Sequence, residues 1–133
     1  MTDGPWAFVS VRNGGRLRYR LQPNTGTGAA RMLLLHPLAM DAAFWDGVAA
    51  ELSASADVLA VDVRGHGQSR GPNSGSIEQQ TCDLEDMLDA IGWDDAFVAG
   101  ASMGGCIAIA LAGAAPQRVA GLGLIDTTDW YGP

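Results

Sequence analysis

Two hydrophobic rhythms divide the chain. Near its start, Leu17, Tyr19 and Leu21 alternate with Arg16, Arg18 and Arg20, the period-two signature of a strand with one face in the core and one in water. Asn13-Gly14-Gly15 precedes it, which is hairpin chemistry and pairs this strand with Ala7 to Val11. The stretch 22–30 (QPNTGTGAA) reads as a loop. Beyond it the alternation stops. MLLLH (32–36), VLAVDV (58–63), AFVAG (96–100) and VAGLGLI (119–125) are continuous apolar runs. Strands buried on both faces read this way, as in a parallel sheet covered by helices.

Helical patterns lie between these runs. Asp41 can cap a helix whose Phe44, Val48 and Leu52 recur every fourth position, predicting a shared apolar face. Ser76 and Gln79 have capping-box spacing, and Ile77, Leu84, Met87, Leu88 and Ile91 share a face that ends at Gly92. Glu78, Asp83, Glu85, Asp86 and Asp89 fall mostly on the opposite, solvated side. A third helix is predicted from about Met103 to Ala115. The order β-β-β-α-β-α-β-α-β describes an antiparallel hairpin followed by a parallel, doubly wound α/β sheet. Ligands of such sheets bind beyond the carboxyl ends of the strands, where His36, Arg64, Ser102 and Asp126 fall.

Composition narrows the partners. A formal net charge of −7 over 133 residues opposes general nucleic-acid binding and docking on anionic membrane, both of which need a basic face. The opening MTDGPWAFVS has no basic region followed by an apolar one. The longest apolar run, 99–115, is short for a membrane span, carries glycines and stops at Pro116, so a buried helix is expected. Cys82 and Cys106 have neither disulfide-framework nor metal-site spacing and are expected to be buried on helices as small apolar residues. A cytoplasmic protein with no membrane or nucleic-acid partner is the expectation.

The chemistry concentrates at Gly100-Ala101-Ser102-Met103-Gly104, a G-x-S-x-G placed between a predicted strand and a predicted helix. A turn that sharp strains the backbone of its central residue and leaves no room for neighbouring side chains, which the glycines remove. Gly105 is expected to let the helix pack closely on the sheet. Ser102 then stands at a helix N-terminus, where free N–H groups favour developing negative charge.

Three landmarks in order, HPLAMD (36–41), DVRGHGQS (62–69) and GASMGG (100–105), make the chain resemble the N-terminal part of an α/β-hydrolase, over nearly its whole length. The resemblance makes Ser102 the catalytic nucleophile and His36-Pro37 the oxyanion-loop dipeptide, with proline where glycine is commoner. It assigns the oxyanion hole to the backbone N–H groups of Leu38 and Met103. Losing one such donor typically costs about 3–4 kcal/mol of transition-state stabilisation. It implies no metal or organic cofactor. By the same comparison His36 fixes the loop and borders the substrate pocket, and His66 shapes the floor of the site; neither is the expected base. In this family the triad acid and histidine follow the nucleophile, and the chain ends before both. Asp126 is the one acid at hand, at the end of the last apolar run, with turn capping as its alternative role.

The resemblance therefore implies a single domain of which residues 1–133 are the N-terminal portion, ending where a cap begins. The fold is then incomplete without further C-terminal strands and helices, and its last strand is left with an apolar edge. A complementary C-terminal polypeptide, cleaved or split from this one, is the expected partner, and activity is expected only once it is present. The segment LIDTTDWYGP (124–133), with the HxLxxD-type loop and GxSMGG elbow, is most similar to the 3-oxoadipate enol-lactonase-like esterases and lactonases. Trp130 is a candidate for roofing the substrate pocket or for packing the cap. The implied reaction is hydrolysis of a small-molecule carboxylic ester or lactone through an acyl-enzyme. Ser102 separates the chain from similar branches that carry aspartate at the elbow. Carbon–carbon bond hydrolysis, cofactor-free haloperoxidation and a non-catalytic binding or assembly module remain open.

Overall fold

A computed structural model describes residues 5–72 and 75–129. Strands β1 (Trp6–Val11) and β2 (Gly15–Gln22) form the expected antiparallel hairpin. Asn13 and Gly14 turn it with φ of 59° and 75°, the two left-handed positions that match the twist of a hairpin. Strands β3 (Ala30–Leu35), β4 (Ala56–Val61), β5 (Ala96–Ala101) and β6 (Val119–Ile125) then alternate with helices α1 (Asp46–Leu52), α2 (Ile77–Ile91) and α3 (Met103–Ala114). The sheet order is β1-β2-β4-β3-β5-β6. β2 joins β4 antiparallel, and β4, β3, β5 and β6 run parallel.

Burial on both faces accounts for the continuous apolar runs. Leu33 and Leu35 face α2 and α3 with Val98, Met87, Ile107 and Leu111. Between them, Leu34 faces the other way, onto Trp45, Ala49 and Ala99. β6 is different: it lies at the sheet edge, and Leu122, Leu124 and Ile125 are 39%, 46% and 50% exposed. Gly100 pairs Leu124 and Ala101 pairs Ile125, so uncovered apolar side chains lie on both faces of this strand.

Three expectations are corrected. Asp41 does cap, accepting a bond from the Ala43 amide at 2.9 Å, but it opens a 3-10 turn over Ala42–Trp45 before α1 begins. That tighter turn shifts the phase, so Ala42, Trp45 and Ala49 are buried, while Phe44 and Val48 lie more than two-fifths exposed. Cys82 is half-buried, in contrast to the buried Cys106. Asp83, placed by the helical pattern on the solvated face, is 1% exposed.

Its partner is Arg64, fully buried, whose Nε and Nη2 bond the two Asp83 oxygens at 2.8 and 2.7 Å. The remaining guanidinium donors reach the carbonyls of Arg12 and Pro72, both at 2.8 Å. One cation thus ties the hairpin, the segment before α2 and α2 itself. The nearby Arg12–Asp86 pair is also bidentate but lies at the surface. Asp83→Ala should therefore cost about 3–5 kcal/mol, because it strands a buried charge, whereas Asp86→Ala should cost about 0–1 kcal/mol. Urea denaturation of both variants in one buffer checks this; equal losses would contradict it.

Candidate active site

β5 ends at Ala101 and α3 starts at Met103, so Ser102 is the whole turn between them. Its φ of 53° and ψ of −117° lie outside the ordinary regions for a side-chain-bearing residue, a strain of about 1–3 kcal/mol that surrounding structure must hold. The Ser102 amide donates to the Ile125 carbonyl at 2.9 Å, and the side chain makes no helix-cap bond. A side chain at Gly100 would collide with the backbone at Gly104 and Gly105. One at Gly104 would run into the carbonyls of Leu35 and His36. The absent side chains therefore let the first turn of α3 press directly on the end of β3, beside the loop that begins at His36.

Gly105 has a different neighbour from the one expected. A side chain there would meet Thr127, not the sheet. Asp126, with φ of 48°, turns the chain after β6 back over α3. Thr127 Oγ1 then donates to the Ser102 carbonyl at 2.6 Å, and the Cys106 thiol donates to the Thr128 carbonyl at 3.0 Å.

His36 is fully buried. Its Nε2 accepts from the Val63 amide at 3.1 Å, which fixes the proton on Nδ1, and Nδ1–H donates to the Pro37 carbonyl at 2.7 Å. Both ring nitrogens are committed, so this histidine is no base for Ser102. The ring is fully buried, held between the loop that follows it and the Val63 amide. The loop turns through Met40, whose amide donates to the same Pro37 carbonyl at 3.3 Å, with Ala39 at φ 63°. Leu38 and Met40, about half exposed, flank that turn. Met103 is buried, and as the first residue of α3 its N–H has no acceptor within the helix.

His66 packs its ring at 5.2 Å from that of His36. The carboxylate of Asp62, fully buried, organises both loops. It accepts from the Ala42 amide, the Gln68 amide and Arg18 Nε, each at 2.8 Å. Nothing in the periodicity marks Asp62; its place in DVRGHGQS is the available signal. Asp126 is exposed at the end of β6, and Trp130 lies outside the described residues.

A sequence model of the alpha/beta hydrolase fold matches residues 30–132. The chain belongs to this family. Among solved structures, an enol-lactonase from Burkholderia xenovorans superposes with a TM-score of 0.87 at 31% identity, covering 95% of this chain and 48% of that one. A hydrolase from Pseudomonas aeruginosa gives 0.87 at 32% identity, covering 98% and 49%. A pimeloyl-[acyl-carrier protein] methyl ester esterase of Nitrosomonas europaea is 39% identical over 80% of this chain and 40% of its own length. An acetyltransferase component of the acetoin cleaving system of Pseudomonas putida is 36% identical over 84% of this chain and 30% of its own. This α/β-hydrolase chain thus spans half or less of each of these relatives. Among its described residues no helix is long and apolar enough to cross a membrane.

Burial lowers the pKa of His36 below its ordinary value, outweighing the Pro37 carbonyl, which acts in the opposite direction. An unfolded chain takes up a proton as pH falls through about 6.5, while the folded site resists it. The stability tied to His36 is therefore complete above that pH and declines below it, toward the lower folded pKa. His36→Asn, which keeps a donor but cannot titrate in this range, should be less stable near neutrality and show a shallower decline in acid. Denaturation midpoints compared at about pH 7.5 and about pH 5 test this; an unchanged decline would contradict it.

Proposed function

We propose that the protein is a serine hydrolase of carboxylic esters or lactones, acting through an acyl-enzyme. The observation that carries this is the strained elbow: Ser102 at φ 53°, with Gly100 and Gly104 admitting the contacts that hold it there. The presence of an esterase and an enol-lactonase among its relatives supports the substrate class. In this reading a histidine takes the Ser102 Oγ proton as the oxygen attacks the carbonyl carbon. The N–H groups of Leu38 and Met103 hold the oxyanion. The tetrahedral intermediate collapses, the leaving alcohol takes the proton, and water releases the acyl group by the same steps. No metal or organic cofactor enters.

The histidine and its acid partner come from a C-terminal segment or complementary chain. Two observations support this: the committed ring nitrogens of His36, and the exposed apolar side chains on both faces of β6. Further strands added beyond β6 would cover that edge. A second reading, a non-catalytic binding or assembly module, is favoured by the first of these observations alone.

A fluorophosphonate probe separates the two. Covalent labelling of Ser102 in the natively purified protein, lost in Ser102→Ala, is expected for the hydrolase. An unlabelled serine in folded material bearing both halves would support the module. Turnover of a nitrophenyl ester should fall by at least about a thousandfold in Ser102→Ala; near-unchanged turnover would overturn the serine mechanism.

A further inference from the structure

The two amides assigned to the oxyanion hole belong to two peptide units, Pro37–Leu38 and Ser102–Met103. In a trans peptide the N–H and C=O point in opposite directions within one plane. Whatever grips the carbonyl therefore aims the amide. Both carbonyls are gripped by a side-chain donor. His36 Nδ1–H holds the Pro37 carbonyl at 2.7 Å, and Thr127 Oγ1–H holds the Ser102 carbonyl at 2.6 Å.

We propose that Thr127 is a positioning residue of the active site: its hydroxyl, seated where Gly105 has no side chain, clamps the Ser102–Met103 peptide and aims the Met103 N–H. The inference rests on the serine-hydrolase reading for its catalytic consequence, though not for its geometry. Three features carry it. The Thr127 proton has a clear acceptor, because the Ser102 carbonyl lies at 2.6 Å while that of Thr128 is 3.5 Å away. The Ser102 carbonyl also accepts from the Gly105 amide at 3.0 Å and the Cys106 amide at 3.3 Å, so it is fixed from the helix side and from the β6 side together. The seat is built for it: Asp126 takes a left-handed φ that turns Thr127 inward, and Cys106 anchors the next carbonyl.

A donor on the carbonyl also polarises the peptide, and hydrogen bonds in such chains strengthen one another. Met103 N–H becomes both better aimed and a stronger donor. The segment after β6 is thus coupled, through Thr127, to the nucleophile's own peptide.

The test uses the intact protein and two readouts. Thr127→Val keeps the shape and removes the hydroxyl, while Thr127→Ser keeps the hydroxyl. The Met103 amide resonances should move upfield in Thr127→Val and return in Thr127→Ser, with the Leu38 amide unmoved in both. Gly105→Ala, which displaces Thr127 without altering it, should reproduce the Met103 shift if Thr127→Val does not fold. In ester turnover, Thr127→Val should lower kcat by roughly tenfold, less than loss of a whole oxyanion donor, with KM within about twofold; Thr127→Ser should restore it. A Met103 amide that ignores both Thr127→Val and Gly105→Ala overturns the proposal. So does an unchanged kcat in Thr127→Val, provided Ser102→Ala abolishes turnover. If Ser102→Ala leaves turnover intact, the serine-hydrolase reading fails, and the Met103 resonance alone decides the clamp.

Discussion

Everything at the carboxyl end of the sheet depends on how closely two backbones approach at the elbow. The first turn of α3 lies against the carbonyls of Leu35 and His36, and a single methyl group at position 104 would force them apart. β3 and β5 are neighbours, with Leu35 opposite Gly100, so this contact sets the distance between the loop leaving β3 and the turn leaving β5. The strained backbone of Ser102 is held by cooperation of the elements around it: its amide is tied to β6 and its carbonyl to α3 and Thr127. None of these bonds is unusual alone. Together they over-determine one residue, which is the condition for strain to persist in a folded chain.

Around that contact the polar groups are buried but not idle. Asp62 lies fully out of water and satisfies donors from three segments, which is how a buried polar group is compensated for the hydration it loses. A side chain at Gly67 would occupy the position of the Asp62 carboxylate, so the second glycine of RGHG makes room for the acid that begins the same loop. His36, Asp62 and Ser69 form the frame against which loops 36–41 and 64–69 are set. The Ser69 hydroxyl accepts from the Arg18 amide at 2.8 Å and donates to the Asp62 carbonyl. The hairpin is thereby fastened to the site it never enters.

The parallel core strands are legible because a continuous apolar run of strand length, bounded by turn residues, fits burial on both faces of a sheet. The elbow is legible because its glycines and serine stand between such a run and a helix pattern. Local geometry decides what escapes. A short 3-10 turn ahead of α1 rotates the apolar phase, exchanging Phe44 and Val48 for Trp45 and Ala49. Asp83 lies on the acidic side of α2 by periodicity, yet a guanidinium supplied by position 64 draws it inside. No window along one helix contains that partner. Thr127 leaves no trace in any pattern, because its role depends on a carbonyl 25 residues earlier and on a side chain that Gly105 lacks. The signal for it is the space at Gly105, readable only once the two segments are adjacent.

The Arg64 knot also bears on how the molecule opens. Its guanidinium bonds span sequence separations of 52, 19 and 8 residues. Separating the hairpin from α2 would take the Arg12 carbonyl from the guanidinium and open the fully buried Arg64–Asp83 pair to water. The hairpin, which by position is an appendage at the sheet margin, is thereby tied to α2, and slow amide exchange should extend to the outermost strands on that side of the molecule.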